Sequence, residues 1–350
     1  MKVLLVSALP PPFGGIAEWT KQYLDYCKSN SIEVDLVNIS LSGSRGTKIN
    51  DKTSIKDEVV RTRRVLKDMN LHLDKTKPSV VHMNTSCGPF GIIRDMLCVK
   101  AAKKRSVPVV LHFHCNVESR ENGFLWRMAL KKMTRMACQT LVLNKKSKKY
   151  IEQYSITEPI VIPNFINGDF SAVSHVIHDT VKEILFVGHV QETKGCKEII
   201  KAAESFPEIH FTLVGPVAKE ISILPCPENV SMIGEVDHNE IKDYLMKSDV
   251  YLFPSYAEGF SLSLTEAMST GLPIIASDAG ANQDMIEDMG GIIIPIKSSE
   301  AIVNAINEIM DPKVRQKMSI WSINKVNENY LIDKVMHRLL SIYKSVLKSS

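Results

Sequence analysis

Short apolar runs alternate with longer segments of helical periodicity along the first half of the chain. The apolar runs, which have the length of buried strands, cover residues 3–8, 34–39, 80–83, 107–113 and 140–143. The helical segments between them cover residues 17–28, 55–73, 92–105 and 125–136. Strands and helices that alternate in this way form a parallel sheet with helices on both faces. The pattern therefore predicts an α/β domain.

The same alternation begins again after a polar segment. Residues 164–179 are rich in Asn, Ser, His and Asp, which is typical of a linker. Apolar runs then follow at 183–188, 211–214, 230–236, 250–253, 274–277 and 292–294, and a helical run covers 331–347. We predict two doubly wound, Rossmann-like domains at 1–165 and 166–330, with a C-terminal helix in 331–350. Ligands of such sheets bind beyond the carboxyl ends of the strands, so two domains that face each other place the site in the cleft between them.

Length and composition limit the class of protein. The 350 residues suffice for two domains, and 44% apolar with 23% charged residues are values of a soluble globular protein. No apolar run is long enough to span a bilayer, and the apolar N-terminus is predicted as a first strand rather than a signal peptide. Seven dispersed cysteines without a C-x-x-C pair fit a reducing cytoplasm. No G-x-G-x-x-G follows either first strand, which weighs against a nicotinamide dehydrogenase.

Charge is distributed unevenly between the two halves. Residues 1–165 contain 27 Lys and Arg against 14 Asp and Glu, whereas the remainder contains 16 against 25. A basic half indicates an anionic partner, such as nucleic acid, a membrane surface or a phosphorylated substrate. Apolar and basic residues are interleaved over 124–135, and further basic residues stand at 103–105 and 145–149. This pattern predicts either a membrane-surface helix or a solvated basic face, and no nucleic-acid module accompanies it.

The stretch from Glu258 to Glu266 is the main candidate for a binding site. Its sequence is Glu-Gly-Phe-Ser-Leu-Ser-Leu-Thr-Glu, between an apolar run that ends at Pro254-Ser255 and a helical run at Ala267. A glycine-containing turn that enters a helix exposes N–H groups that no helical carbonyl reaches, and such groups bind phosphate or sugar oxygens. The two carboxylates could then hold two hydroxylated parts of one ligand. A surface loop with solvated glutamates is the alternative.

The flanks of this stretch extend the pattern in a fixed order. The residues are Pro254-Ser255, Glu258, Glu266, Ala267-Met268-x-x-Gly271-x-Pro273, Ser277-Asp278-x-Gly280 and Gly290-Gly291. Together they resemble the signature of retaining glycosyltransferases of family 4. The resemblance covers essentially the whole chain. It implies the GT-B fold, in which two doubly wound domains face a central cleft and the last helix returns to the first domain. It also implies sugar transfer from a nucleotide-diphospho-sugar, with a UDP-sugar expected.

The resemblance assigns roles within the 258–266 stretch. Glu266 is implied to hold the ribose hydroxyls, which suits an ionised carboxylate because it accepts hydrogen bonds from a diol. Glu258 is implied to be catalytic and to face the donor sugar, either as nucleophile or as orienting group. Donor-sugar contacts, made chiefly by backbone N–H groups, are implied at Gly259, Phe260, Ser261 and Leu262.

A further group of candidates follows the first strand of the second half, in Val187-Gly188-His189-Val190-x3-Lys194-Gly195. The resembled family shows Gly-Arg and then Lys-Gly here. Lys194 is implied to neutralise the departing diphosphate, because a fixed cation there lowers the barrier. His189 stands where arginine is expected, without arginine's permanent charge and bidentate fork. This leaves a weaker diphosphate clamp, a compensating cation or an inactive protein, and we expect activity because the other elements match.

The first half supplies the remaining candidates. Gly14 and Gly15 follow a proline-rich loop after the first strand, where glycine serves either a ligand contact or a tight turn. The resemblance places them beside the diphosphate and the acceptor. His112 and His114 lie two residues apart at a strand end and point the same way, and a metal site is discounted because no third ligand is near in sequence. The resemblance implies that His114 contacts the donor sugar as a catalytic residue.

The resemblance also sets expectations for partners. Gly215 and Ile233 are implied to surround the nucleotide base. No metal or other cofactor is expected, since Lys194 and helix N-termini take the role of a divalent ion. The acceptor is expected to be a saccharide or lipid-linked saccharide in envelope, capsule or O-antigen synthesis. We expect a cytoplasmic protein, peripheral at the inner face of an anionic membrane, and no nucleic-acid partner.

Two other functions stay open. A non-catalytic binding partner with the same fold is favoured by His189 and opposed by Lys194 and Glu258. A GT-B sugar-nucleotide epimerase needs neither an acceptor nor a membrane face, so analysis of products formed without an acceptor distinguishes it.

Overall fold

The computed structural model describes residues 1–11, 14–40, 55–121, 123–170, 175–287 and 289–349, except for the side chain of residue 169. Pro12 and Phe13 of the proline-rich loop and part of the 164–179 segment therefore lie outside the described residues. The chain divides into two compact units. Unit 1 comprises Met1–Asn164 and Asp333–Ser350, and unit 2 comprises Phe165–Ile332. The boundaries expected from the sequence fall after residues 165 and 330.

Unit 1 is built on a parallel sheet whose described strands lie in the order β2-β1-β3-β4-β5-β6. The strands are β1 (Lys2–Ser7), β2 (Glu33–Asn38), β3 (Val80–Thr85), β4 (Val109–Phe113), β5 (Gln139–Val142) and β6 (Ile160–Val161). The helices are α1 (Gly15–Ser29), α2 (Ile55–Lys75), α3 (Gly91–Lys103), α4 (Gly123–Met136), α5 (Lys145–Glu152) and the C-terminal α13 (Ile332–Ser349). Every residue of β3 and β4 is buried, so these strands are continuously buried rather than exposed on alternate positions.

Unit 2 repeats this plan, with its described strands in the order β12-β11-β10-β7-β8-β9. The strands are β7 (Glu183–Val187), β8 (His210–Val214), β9 (Val230–Gly234), β10 (Val250–Phe253), β11 (Ile274–Ser277) and β12 (Gly291–Ile294). The helices are α6 (Cys196–Ala203), α7 (Lys219–Ser222), α8 (His238–Lys247), α9 (Leu262–Thr270), α10 (Asn282–Ile286), α11 (Ser299–Glu308) and α12 (Pro312–Asn329). The pairings among these strands are all parallel.

The prediction of a doubly wound α/β fold is confirmed. The strands predicted in both halves coincide with observed strands to within two residues at each end, and so do the helices predicted in the first half. Sequence patterns did not predict α5 or β6. Helix α5 has eight residues, four of them lysines, and buries only Ser147 and Ile151, so its apolar period is too short to detect. Within the described part of the chain, no helix has both the length and the apolar character needed to cross a bilayer.

Tyr343 anchors α13 to the sheet of unit 1. Its side chain is fully buried, and its hydroxyl is hydrogen-bonded to Nδ1 of His82 and lies 3.2 Å from the hydroxyl of Tyr23. Trp19 stacks on Tyr23 with ring centroids 4.9 Å apart. Because buried polar groups are costly without partners, these hydrogen bonds fix where the helix sits.

Three histidines share this buried region of unit 1. The rings of His82 and His112 have centroids 5.4 Å apart, and those of His112 and His114 are 4.1 Å apart. Burial lowers the pKa of His112 to about 3. Burial also holds the pKa of His82 and of His114 well below the usual value, and neighbouring histidines lower both further. The three imidazoles are therefore neutral at pH 7.

We predict that the free energy of unfolding falls as the pH decreases from 6.5 toward 4. In this range the unfolded chain takes up protons that the folded unit excludes, so each such histidine contributes a slope of about 1.4 kcal/mol per pH unit. Urea denaturation followed by tryptophan fluorescence measures this slope. The variant His112→Gln should show a shallower slope, whereas His337→Gln, at an exposed position of α13, should not. Equal slopes in all three proteins would contradict the assignment.

Candidate active site

Glu258 lies in the loop between β10 and α9 and is held by two side chains. Lys194 Nζ is 2.5 Å from its Oε1 atom, and the Ser255 hydroxyl donates a hydrogen bond of 2.7 Å to the same oxygen. The side chains of Lys194 and Glu258 keep 23% and 11% of their surface exposed, so water can still reach this ion pair. Two of the residues predicted for the site are thus brought together across 64 positions of sequence.

The backbone around Glu258 is fixed by the end of β11. The Ser277 hydroxyl donates a hydrogen bond to the carbonyl of Ser255, and both serines are fully buried. Gly280 has a φ of +55°, and a Cβ atom at this position would lie 1.7 Å from the Glu258 carbonyl oxygen. Only glycine permits this approach. Ser255 and Gly280 belong to the sequence pattern that resembles family 4. The sequence does not predict that they hold the backbone of the Glu258 loop in place.

The loop that carries Lys194 packs against Pro254 and Tyr256, in the segment between β10 and Glu258. Lys194 ends a short 3₁₀ turn, and Gly195 follows it with a φ of +76°. A Cβ atom on Gly195 would lie 2.3 Å from the carbonyl oxygen of Pro254. The backbone N–H of Tyr256 donates to the carbonyl of Thr193 at 3.0 Å. These contacts place the lysine beside the carboxylate, with its Nζ 5.7 Å from the centroid of the Phe253 ring.

His189 follows β7 and is half-buried. Burial lowers its pKa, the charge of Lys194 lowers it further, and Glu235 opposes the change. The imidazole is therefore mostly neutral at pH 7. It can donate one hydrogen bond to an oxygen, but it does not supply the permanent charge of the arginine expected here.

The start of α9 presents its first-turn N–H groups beside Glu258. Ser261 is the N-cap, and its side chain accepts a hydrogen bond of 3.2 Å from the N–H of Leu264. The buried Tyr251 hydroxyl donates to Ser263 at 2.9 Å. Phe260 is 8% exposed and meets Tyr330 edge-on with ring centroids 5.2 Å apart. Because the side chains of Phe260 and Ser261 are occupied in this way, contacts with a ligand would come from the backbone.

Glu266 lies on the same helix and has a partner that the sequence did not reveal. Its Oε1 atom is 3.0 Å from Nε2 of His238, the first residue of α8. The His238 ring meets Phe170 edge-on at 5.5 Å. Asp237 and Glu240 form a capping box that starts α8, and this pattern is visible in the sequence. It could have predicted the helix start, but not the contact with Glu266.

The predicted base-binding residues occupy neighbouring strands. Gly215 directly follows β8, and a Cβ atom there would lie 2.0 Å from the carbonyl oxygen of Gly188, the residue before His189. The N–H of Gly215 donates to the carbonyl of Gly234 at 2.8 Å. Ile233, on β9, is 42% exposed. The structure therefore places Gly215 next to the His189 loop and Ile233 one strand farther out.

In unit 1 the two glycines open α1. A Cβ atom on Gly14 or Gly15 would meet nothing within 4 Å. Beneath this turn the Asn84 side chain donates to Ser7 Oγ at 2.9 Å, and Ser7 Oγ lies 2.6 Å from Thr20 Oγ1. This buried network fixes the first turn of α1 to the ends of β1 and β3.

His112 and His114 share one side of the β4 end, as the spacing predicted. The Trp19 ring lies 5.0 Å from that of His114 and 5.8 Å from that of His112. In its neutral form His114 can donate or accept a hydrogen bond but is a poor acid. Among the described residues, no group of three or more His, Cys, Asp or Glu is arranged to hold a metal ion.

Comparison with known proteins identifies the second unit. Residues 168–324 match the family of glycosyl transferases group 1. An uncharacterized 41.2 kDa protein from the cps region of Klebsiella pneumoniae is 24% identical over 352 residues, covering 91% of this chain and 90% of that protein. The UDP-Gal:alpha-D-GlcNAc-diphosphoundecaprenol alpha-1,3-galactosyltransferase of Escherichia coli is 33% identical over 106 residues, which span only 30% of this chain and 27% of that enzyme.

The fold has a close counterpart among solved structures. HepE of Anabaena, in complex with UDP, superposes with a TM-score of 0.75 at 17% identity, covering 99% of this chain and 100% of that one. The two doubly wound units have the fold of the GT-B class. The match of residues 168–324 to glycosyl transferases group 1 and the named relatives identify the chain as a glycosyltransferase. The predicted enzyme class, a hexosyltransferase-type glycosyltransferase, is confirmed.

We predict that Gly280→Ala reduces sugar transfer about 100-fold, because the new methyl group displaces the backbone of Glu258 and catalytic groups tolerate little misplacement. Initial rates with a saturating donor measure the effect. Gly168→Ala is the matched control, since a Cβ there meets nothing within 4 Å. A Gly280→Ala protein with the rate of the control would show that the Glu258 loop does not depend on this contact.

Proposed function

We propose that the protein transfers a sugar, with retention of its anomeric configuration, from a nucleotide-diphospho-sugar to a saccharide or lipid-linked acceptor. The observation that carries the proposal is the Lys194–Glu258 pair beside the start of α9. A cation, a carboxylate and the N-terminus of a helix within one short region can receive a diphosphate and a sugar together. Retention follows from the resemblance to family 4, and the anomeric proton signals of donor and product in NMR test it.

The ion pair is the resting arrangement of the site in this proposal. When the donor binds, its diphosphate competes with Glu258 for Lys194. Glu258 then keeps its hydrogen bond from Ser255 and is free to contact the hydroxyls or the reacting face of the sugar. Negative charge grows on the diphosphate as the glycosidic bond breaks, and a cation already in place stabilises this change without reorganisation. The N–H groups at Gly259, Phe260, Ser261 and Leu262 would hold the sugar or phosphate oxygens.

The nucleoside would lie along α9 and the neighbouring strand ends. Glu266 accepts hydrogen bonds from the two ribose hydroxyls in this proposal, and His238 keeps the carboxylate oriented. Gly215 and Ile233 border the base. The roles of Gly14, Gly15 and His114 toward the diphosphate and the sugar stay predictions from the resemblance.

A uridine nucleotide is the donor that we propose. The name of the E. coli relative specifies UDP-Gal, and the Anabaena structure contains UDP. The name of the E. coli enzyme also specifies an acceptor linked to diphosphoundecaprenol. These names support a lipid-linked acceptor in envelope, capsule or O-antigen synthesis for this chain as well. A cytoplasmic location at the inner face of the membrane is the setting such an acceptor requires.

Metal independence is part of the proposal. Lys194 would supply the positive charge that Mg²⁺ supplies in other transferases. Transfer rates with and without EDTA test this point directly. Incubation of the UDP-sugar without an acceptor tests the epimerase alternative, since only an epimerase would convert the donor into another nucleotide-sugar.

We predict that Glu266→Ala weakens UDP binding about 10- to 100-fold, because the ribose hydroxyls lose their acceptor. Isothermal titration calorimetry measures the dissociation constant. Glu204→Ala, an exposed glutamate of the same unit, is the control and should bind UDP like the unaltered protein. Full affinity in the Glu266→Ala protein would refute the ribose assignment.

We predict that His189→Ala slows transfer about tenfold and that His189→Arg is tolerated, because arginine restores the donor and adds a charge beside Lys194. Single-turnover rates separate this effect from donor binding. An alanine variant that turns over at the original rate would remove His189 from the diphosphate site.

A further inference from the structure

Eight large apolar side chains are exposed at the beginnings of three helices of unit 1. They belong to the first turns of α2, the N-cap and first turn of α3, and the first turns of α4. Their exposed fractions lie between 45% and 72%. We call this set the apolar rim: Ile55, Val59, Val60, Phe90, Ile93, Phe124, Leu125 and Met128. Scattered exposed apolar residues are ordinary, but a set of this size at neighbouring helix starts indicates an interaction surface.

The topology of unit 1 places the rim on one edge. The crossovers β2 to β3, β3 to β4 and β4 to β5 all advance in the same direction through the sheet order. Parallel crossovers are right-handed, so α2, α3 and α4 lie on the same face of the sheet, and α2 packs on α3 and α3 on α4. Each helix follows its strand and begins at the carboxyl edge. Gly14, Gly15 and His114 lie at this same edge of unit 1.

Side-chain contacts join the parts of the rim. Ile55 and Val59 of α2 line one groove of about 320 Å³ together with Phe90 and Ile93 of α3. The Trp126 indole N–H donates a hydrogen bond of 3.0 Å to the carbonyl of Cys87, in the segment before α3. This bond fixes the start of α4 near the start of α3, so Phe124 and Leu125, the two residues before Trp126, extend the apolar surface.

All the charged residues of α4, the third helix of the rim, are basic. The helix contains Arg127, Lys131, Lys132 and Arg135, all of them exposed, and no acidic residue. Arg127 pairs with Glu121 at 3.2 Å, and Arg135 lies in the last turn, so Lys131 and Lys132 are the main cations beside the rim. Its buried face consists of Trp126, Ala129, Leu130, Met133 and Thr134, so the exposed apolar residues are not required by the core. Exposed apolar side chains beside cations are the two features with which protein surfaces bind the interface of an anionic bilayer.

Of the basic clusters noted in the sequence, residues 103–105 do not join this surface, and one lysine of the 145–149 cluster is paired. Residues 103–105 lie at the C-terminal end of α3, away from the rim, and Arg105 pairs with Asp74. Lys148 of the 145–149 cluster pairs with Glu158. The cationic flank is therefore narrower than the charge count of the first half indicates.

We propose that the apolar rim is a docking surface for an anionic lipid bilayer, with its side chains inserted at the boundary between headgroups and acyl chains. Helix starts on one sheet edge stand at similar heights, so their side chains can enter a flat boundary together. Lys131 and Lys132, about one turn after Met128, then contact lipid phosphates. On the proposed function, docking would hold the Gly14–Gly15 edge near a lipid-linked acceptor; the docking itself does not depend on that function.

Sedimentation with vesicles tests the proposal. The purified full chain is mixed with phosphatidylcholine vesicles that contain or lack phosphatidylglycerol. We expect binding to the anionic vesicles and much weaker binding to the neutral ones. The double variant Phe124→Ser with Leu125→Ser should lower the partition coefficient at least tenfold. Ile156→Ser is the matched control, because Ile156 is 74% exposed in unit 1 but lies outside the rim.

Two outcomes would overturn the proposal: no binding to either kind of vesicle, or equal binding of the double variant and the control. The second outcome would mean that charge alone attracts the protein, or that the rim serves a protein partner. Thermal unfolding of each variant checks that it is folded. Calorimetry with UDP, run on the same samples, keeps the two hypotheses apart. Vesicle binding without UDP binding would contradict only the proposed function, and the reverse result would contradict only the docking surface.

Discussion

The packing of Gly195 on the carbonyl of Pro254 is the constraint on which the site of unit 2 depends. It presses the loop after β7 against the loop after β10, at two strands that are neighbours in the sheet. Lys194, the residue before Gly195, lies 2.5 Å from Glu258 in this packing. A side chain on residue 195 would separate the two loops and would therefore also separate Lys194 from Glu258. The Lys194–Glu258 ion pair thus depends on the absence of a side chain at residue 195, which is an uncharged contact.

Histidines near the predicted site residues of both units are mostly neutral, so they add little positive charge there. His189 loses charge through burial and through the nearby lysine, so Lys194 is the principal fixed cation among the residues predicted to bind the diphosphate. In unit 1 burial keeps His112 and His114 neutral as well. Neutral imidazoles can orient hydroxyl groups without attracting a second anion. In the proposed reaction, a single fixed cation at Lys194 would favour a leaving group whose negative charge grows as the bond breaks.

The sequence predicted the fold well because both sheets are parallel and their central strands, such as β3, β4, β10 and β11, are buried throughout and give continuous apolar runs. Helix α5 escaped detection because four lysines mask its short apolar period. For the site, the order of Lys194, Glu258 and Glu266 sufficed to suggest a ligand, whereas their partners were hidden. The contact between Glu266 and His238 and that between Glu258 and Gly280 join residues from different strand ends. Such contacts depend on strand order, which no local pattern contains.

The glycines show why the two halves of the chain differ in how much their sequence reveals. In unit 2, Gly195, Gly215 and Gly280 each approach a backbone carbonyl so closely that a Cβ atom would lie within 2.3 Å of its oxygen. Their positions are therefore imposed by the folded chain, and the motif they belong to is long and ordered. Gly14 and Gly15 of unit 1 face open space, where the folded protein by itself accepts a side chain. The described part of unit 1 does not itself require glycine at these two positions, and the sequence pattern of that loop is weaker for this reason.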